Sequence, residues 1–195
     1  RIKNPYHRTA LGVGYIGQGP FKSGSKGRHT RCYSAWYSML ERCYSENRKL
    51  KNPTYNDVTV CEEWHNFQNF AEWFYQQPNA EKRGYDLDKD LIIVNNKVYC
   101  PEACSFVPQE VNKVLLMRDK ERDGLPRGVY EHCGKYQVSI VNTVGYGLVY
   151  LGTYSTLEEA LVVYEEGIRS KLQQVADLYK ENIDSRVYEN LKKGI

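Results

Sequence analysis

The 195-residue chain has 41% hydrophobic and 26% charged residues, the balance of a globular protein, and no apolar run reaches the roughly 20 residues that span a bilayer. Its length suits two small domains, each able to bury a core. The net charge of +3 conceals an asymmetry: residues 1–51 hold eleven Lys/Arg against Glu41 and Glu46, whereas residues 52–195 hold sixteen against twenty-two Asp/Glu. A basic end on a near-neutral body predicts contact with a polyanion.

Residues 1–31 contain six glycines between basic residues and read as a basic, extended, loop-rich arm. Gly12-Val13-Gly14-Tyr15-Ile16-Gly17 has no strand before it and no helix close behind, so it is no dinucleotide fingerprint. From Cys32 to Tyr44, Tyr33, Trp36, Tyr37, Met39, Leu40 and Tyr44 recur at helical spacing. Val58 and Val60 alternate as a short strand, and Phe67, Phe70, Ala71 and Phe74 predict a second helix ending before Pro78. Residues 85–107 read as two short strands around an Asn95-Asn96-Lys97 turn, completed to a ββα unit by a helix near Pro108. The charged stretch 117–126, closing on Gly124 and Pro126, reads as a linker. Beyond it, residues 127–131, 135–142 and 148–153 predict a three-stranded meander turning at Cys133-Gly134 and at 144–147. A helix over 156–179 follows, opened by the capping box Thr156-Leu157-Glu158-Glu159, and Ser185 to Leu191 predict a short final helix.

The second half resembles the AP2 DNA-binding domain. The motifs are Arg127-Gly-Val-Tyr130, Gly134-Lys-Tyr-Gln-Val-Ser-Ile140, Tyr150-Leu-Gly-Thr-Tyr154 and Thr156-Leu-Glu-Glu-Ala160 with Tyr164, in order over about sixty residues. The resemblance implies a sheet lying in the major groove of double-stranded DNA with a helix behind it. Arg127, Tyr130, His132, Lys135, Ser139 and Tyr150 are the DNA-facing residues it implies. Tyr130, His132 and Val141 stand where plant members carry Arg, which removes bidentate guanine readers.

The first half resembles the phage HNH-associated family. Its signature runs Trp36-Tyr-Ser-Met-Leu-Glu-Arg-Cys-Tyr44, Val58-Thr-Val-Cys-Glu-Glu-Trp64, Leu87-Asp-Lys-Asp90 and Tyr99-Cys-Pro-Glu-Ala-Cys104. Together the resemblances imply an α+β protein with an HNH-like (His-Me finger-like) module over 32–116 and an AP2-like domain over 127–195, acting in the cytoplasm of an infected bacterial host. They imply Mg²⁺ or another divalent cation on Asp88 and Asp90. Lys89 occupies the general-base slot that holds His in an active enzyme, Asn96 is a substitute polar group, and Ala103 replaces an expected Asn. Two readings follow: a metal-dependent nicking endonuclease, or an inactive DNA-binding relative that acts on host or phage machinery through DNA or a protein partner.

Cys61-x3-His65 and Cys100-x3-Cys104, with Cys43, leave two readings open: a tetrahedral Zn²⁺ site or free core thiols, and the spacing favours the thiols. No disulfides are expected. Arg28 and Arg31 before the first helix, with Lys49 and Lys51 after it, predict phosphate contacts flanking one track.

Overall fold

Thr30 opens the first helix, α1 (Arg31–Tyr44), by accepting the N–H of Tyr33 on its side-chain oxygen. Cys32, Trp36, Met39, Leu40 and Cys43 recur at the three-and-four spacing of one helical face and are buried. The computed structural model describes residues 4–118, 121–122, 124–142 and 147–195. Two compact units result, Arg1–Phe106 and Val107–Ile195.

In the first unit a short helix, α2 (Glu46–Lys51), follows α1 and buries no residue. Asn66 caps α3 (Phe67–Gln76), which buries Phe67, Phe70, Ala71 and Phe74 and stops before Pro78. The helices share an aromatic core. The Trp36 and Phe67 rings meet edge-on at 5.5 Å, and the Trp36 indole N–H donates to the Trp64 carbonyl at 2.7 Å. Burying each such ring stabilises the fold by about 2–3 kcal/mol.

The glycine-rich segment is laced to this core, where sequence reading expects a loose arm. Gln68, itself buried, accepts the N–H of Phe21 and donates to the carbonyls of Ile16 and Phe21. A Cβ on Gly14 would lie 2.5 Å from Leu40 Cδ1, and one on Gly19 would lie 2.3 Å from Gln68 Oε1. These glycines permit close packing. The segment also carries a small hairpin, β1 (Gly24–Ser25) and β2 (Arg28–His29), turned by Lys26 and Gly27, both at positive φ.

Two strands within the expected unit over 85–107 do pair and a helix follows Pro108, but the strand after the Asn95-Asn96-Lys97 turn pairs elsewhere. β3 (Thr59–Val60) runs parallel to β5 (Val98–Tyr99), while β4 (Tyr85–Asp88) pairs with β6 (Ser105–Pro108), the strand in which the first unit ends. Residues 89–97 are a loop between strands of different ladders.

The second unit begins ten residues before the expected linker. Its first helix, α4 (Gln109–Arg118), buries Val111 and Val114 and lies against the long helix α5 (Leu157–Tyr179) and the central strand of the sheet. Within the stretch read as linker, β7 (Glu121–Arg122) pairs with β8 (Leu125–Pro126); residues 119, 120 and 123 of that stretch lie outside the described residues, as do 144–146 of the second expected turn.

β9 (Val129–His132), β10 (Lys135–Val141) and β11 (Leu148–Tyr154) form an antiparallel sheet with β10 central. Cys133 and Gly134, both at positive φ, make the two-residue turn that suits a right-twisted hairpin. Thr156 and Glu159 complete the predicted capping box of α5. Ala160, Tyr164, Ile168, Leu172, Val175 and Ala176 are its buried stripe, and a final helix, α6 (Ser185–Lys193), packs on it through Val187 and Leu191. The fold is mixed α and β with small antiparallel and parallel pairings, in keeping with the α+β expectation. Among the described residues no helix is long and apolar enough to cross a membrane.

Candidate nucleic-acid interface

Strand alternation assigns each residue of the β9–β11 sheet to a face. Val129, Val138 and Ile140 are buried, and a Cβ on Gly167 of α5 would meet Leu151 and Ile140, so this face lies on the helix. Lys135, Gln137, Ser139 and Val141 of β10 point the other way. The register sets Lys135 opposite His132, Gln137 between Tyr130 and Thr153, Ser139 beside Tyr150, and Val141 beside Leu148. Tyr130, Leu148 and Tyr150 are 39%, 55% and 62% exposed.

Tyr150 and Thr153 are three residues apart, a spacing that regular alternation would put on opposite faces. A register shift opposite Val138/Ser139 absorbs the extra residue, pairing Gly152 with Val138 and Tyr150 with Ser139. Gly152 is required there: its φ is +143°, and a Cβ would fall 2.7 Å from the Tyr154 hydroxyl. The bulge brings both side chains to the open face, where their hydroxyls lie 2.6 Å apart.

Tyr130, His132, Lys135, Ser139 and Tyr150 therefore share one face, and Arg127 is exposed just before β9. Sequence reading does not single out Gln137 or Thr153. Gln137 is signalled by its period-two position between Lys135 and Ser139, whereas Thr153 depends on the bulge. Glu131, the acidic residue of these strands, pairs with Tyr136 and falls on the opposite face.

The Asp88–Asp90 segment is built differently. Asp88 Oδ1 accepts the backbone N–H groups of Asp90 at 2.8 Å and Leu91 at 2.9 Å. Burial raises the pKa of its carboxyl, against the opposing pull of those donors. Lys89 is 7% exposed; its ammonium donates to Asp90 Oδ1 at 2.5 Å and to the Asn96 carbonyl at 3.0 Å, and lies 6.0 Å from the centre of the Tyr99 ring. The Asn96 amide donates to the carbonyls of Lys89 and Val98 and accepts from the Val98 N–H. Every expected catalytic side chain is thus bound within the 88–98 loop. One oxygen of Asp88 ties the turn and one of Asp90 holds an ammonium, which leaves a single oxygen of each carboxylate for a divalent cation.

Among the described residues, no three His, Cys, Asp or Glu side chains are grouped to hold a metal ion. Cys61, Cys100 and Cys104 influence one another electrostatically, whereas Cys43 answers to Arg42, Lys89 and Lys49, and His65 to Arg8 and Glu62. The five proposed zinc ligands do not converge. Burial raises the pKa values of the Cys61 and Cys104 thiols, that of Cys61 to about 11. His65 Nε2 faces the Tyr44 hydroxyl at 3.3 Å, and among the described residues its buried Nδ1 has no hydrogen-bond partner.

The expected phosphate contacts divide in two. Arg28 and Lys51 are exposed. Arg31 donates Nε to the Ala80 carbonyl at 2.6 Å and Nη2 to the Tyr85 carbonyl, committing its fork to the fold, and Lys49 reaches the Asn56 carbonyl at 3.3 Å. Arg28 precedes α1 and the lysines follow it, so the two groups are separated by a helix about 20 Å long.

Comparison with protein-family models, curated proteins and solved structures gives no match.

Proposed function

We propose that the chain is a duplex-DNA-binding protein whose reading surface is the open face of the β9–β11 sheet, and that the 88–98 loop is a braced structural turn. The observation that carries the reading is the composition of that face: Lys135 supplies positive charge, His132, Gln137, Ser139 and Thr153 supply donors and acceptors, Tyr130 and Tyr150 supply exposed rings, and among the described residues of these strands no carboxylate lies on it. Three strands span about 10 Å, which matches a major groove about 12 Å wide. Side-chain amides and hydroxyls are suited to base edges and phosphates there.

Fluorescence anisotropy with a labelled duplex tests the proposal. Replacing Tyr130 and Tyr150 together by Ala is expected to weaken binding at least tenfold, about 1.4 kcal/mol, without changing the unfolding midpoint. Equal binding by the double variant, or no duplex binding by the wild type, overturns it. Supercoiled DNA incubated with the protein and Mg²⁺ or Mn²⁺ is expected to stay supercoiled; nicking that disappears in Asp88→Ala would restore the endonuclease reading.

A further inference from the structure

Two basic segments distant in sequence are fastened to the same end of α1. Thr30 donates its backbone N–H to the Ser23 carbonyl at 2.9 Å, and its hydroxyl lies 3.3 Å from the Lys22 carbonyl, which fixes the β1–β2 hairpin. The next residue, Arg31, holds both ends of the turn between α3 and β4 through the Ala80 and Tyr85 carbonyls. Lys22, Lys26 and Arg28 are exposed on the first segment, and Lys82 and Arg83 on the second.

Among the described residues none of these five cations takes part in a salt bridge. Lys82 lies over the Tyr85 ring, 5.2 Å from its centre, an arrangement that leaves its charge intact. Glu81 of the same turn is also exposed, and Asp86 is half-buried and acts on Arg42. Five exposed cations against the one exposed carboxylate Glu81 leave these two turns net positive, which favours contact with a polyanion. The cations are spread over two open turns, an arrangement suited to successive phosphates of a backbone.

We infer that the first unit carries a phosphate-backbone contact surface for duplex DNA, formed by Lys22, Lys26 and Arg28 of the hairpin with Lys82 and Arg83 of the facing turn. The inference rests on the DNA-binding reading and extends it to a part of the molecule separate from the sheet. Lys82 and Arg83 enter the surface through Arg31, which acts as its fastening and leaves phosphate contact to the exposed five.

The test is the dependence of duplex affinity on salt, measured on the full chain by anisotropy. Removing one phosphate-binding cation lowers the slope of log K against log salt by about 0.9. Lys82→Ala with Arg83→Ala is expected to reduce the slope by about two and to weaken binding on every sequence alike. Lys82→Arg with Arg83→Lys, which keeps both charges, is expected to retain it. An unchanged slope in the alanine pair, with wild-type binding intact, overturns this surface and leaves the sheet reading standing. A reduced slope, with Tyr130→Ala and Tyr150→Ala binding normally, supports this surface and removes the sheet. No duplex binding by the wild type removes both.

Discussion

The 88–98 loop and the β9–β11 sheet use similar polar side chains in opposite ways. In the loop, Asp88, Lys89, Asp90 and Asn96 turn back onto their own backbone and leave Ile93 and Val94 half exposed at its tip. In the sheet, Lys135, Gln137, Ser139 and Tyr150 stand on a face whose underside α5 already covers. A motif that resembles a reaction centre can therefore be a fastening, because a residue type shows which bonds it can make but not which partner it takes.

Lys89 separates the loop from the sheet with the largest expected effect. Lys89→Ala leaves the Asn96 carbonyl without its ammonium donor and opens a space beside Tyr99, an expected loss of about 3 kcal/mol, read as a lower urea midpoint. DNA affinity of the folded protein is expected to stay within twofold. A stable variant with weakened DNA binding would make the loop part of the interface. The paired Tyr130 and Tyr150 truncations are the smaller, opposite case, with affinity reduced and stability held.

A still smaller effect separates core from surface by pH. Burial lowers the pKa of His65 from its usual 6.5, with Arg8 reinforcing the shift. The folded protein therefore binds that proton less readily than the unfolded chain, so the contribution is fully present above 6.5 and is lost as pH falls through the depressed value. The urea midpoint is expected to fall on acidification across that window, and His65→Gln to flatten the fall. An equal fall in the variant would remove His65 as the cause.

Local signals are legible in the sequence. The spacing of Trp36, Met39 and Leu40 marks α1, Thr156 with Glu159 marks the start of α5, and Cys133-Gly134 marks a hairpin turn. Long-range pairing is not. Val98 and Tyr99 read as the return strand of a hairpin, yet their partner is Thr59–Val60; periodicity gives a strand's faces and says nothing of its neighbour. Glycines are similarly ambiguous, since Gly14 and Gly19 look alike in a loose arm and in a segment pressed against Leu40 and Gln68. The candidate interface is half legible: alternation gathers Lys135, Gln137 and Ser139, but only the bulge at Gly152 brings Thr153 beside Tyr150. Arg31 reads in sequence as a phosphate ligand because its carbonyl partners lie about fifty residues away.

Titrating isotope-labelled protein with a short duplex and following backbone amide shifts shows which of the two regions meets DNA. Perturbations are expected to gather on Tyr130, Lys135, Gln137, Ser139, Tyr150 and Thr153, while the amides of Asp88 to Val98 hold still. Shifts centred on Asp88 to Asn96, with the sheet unmoved, would contradict the sheet reading.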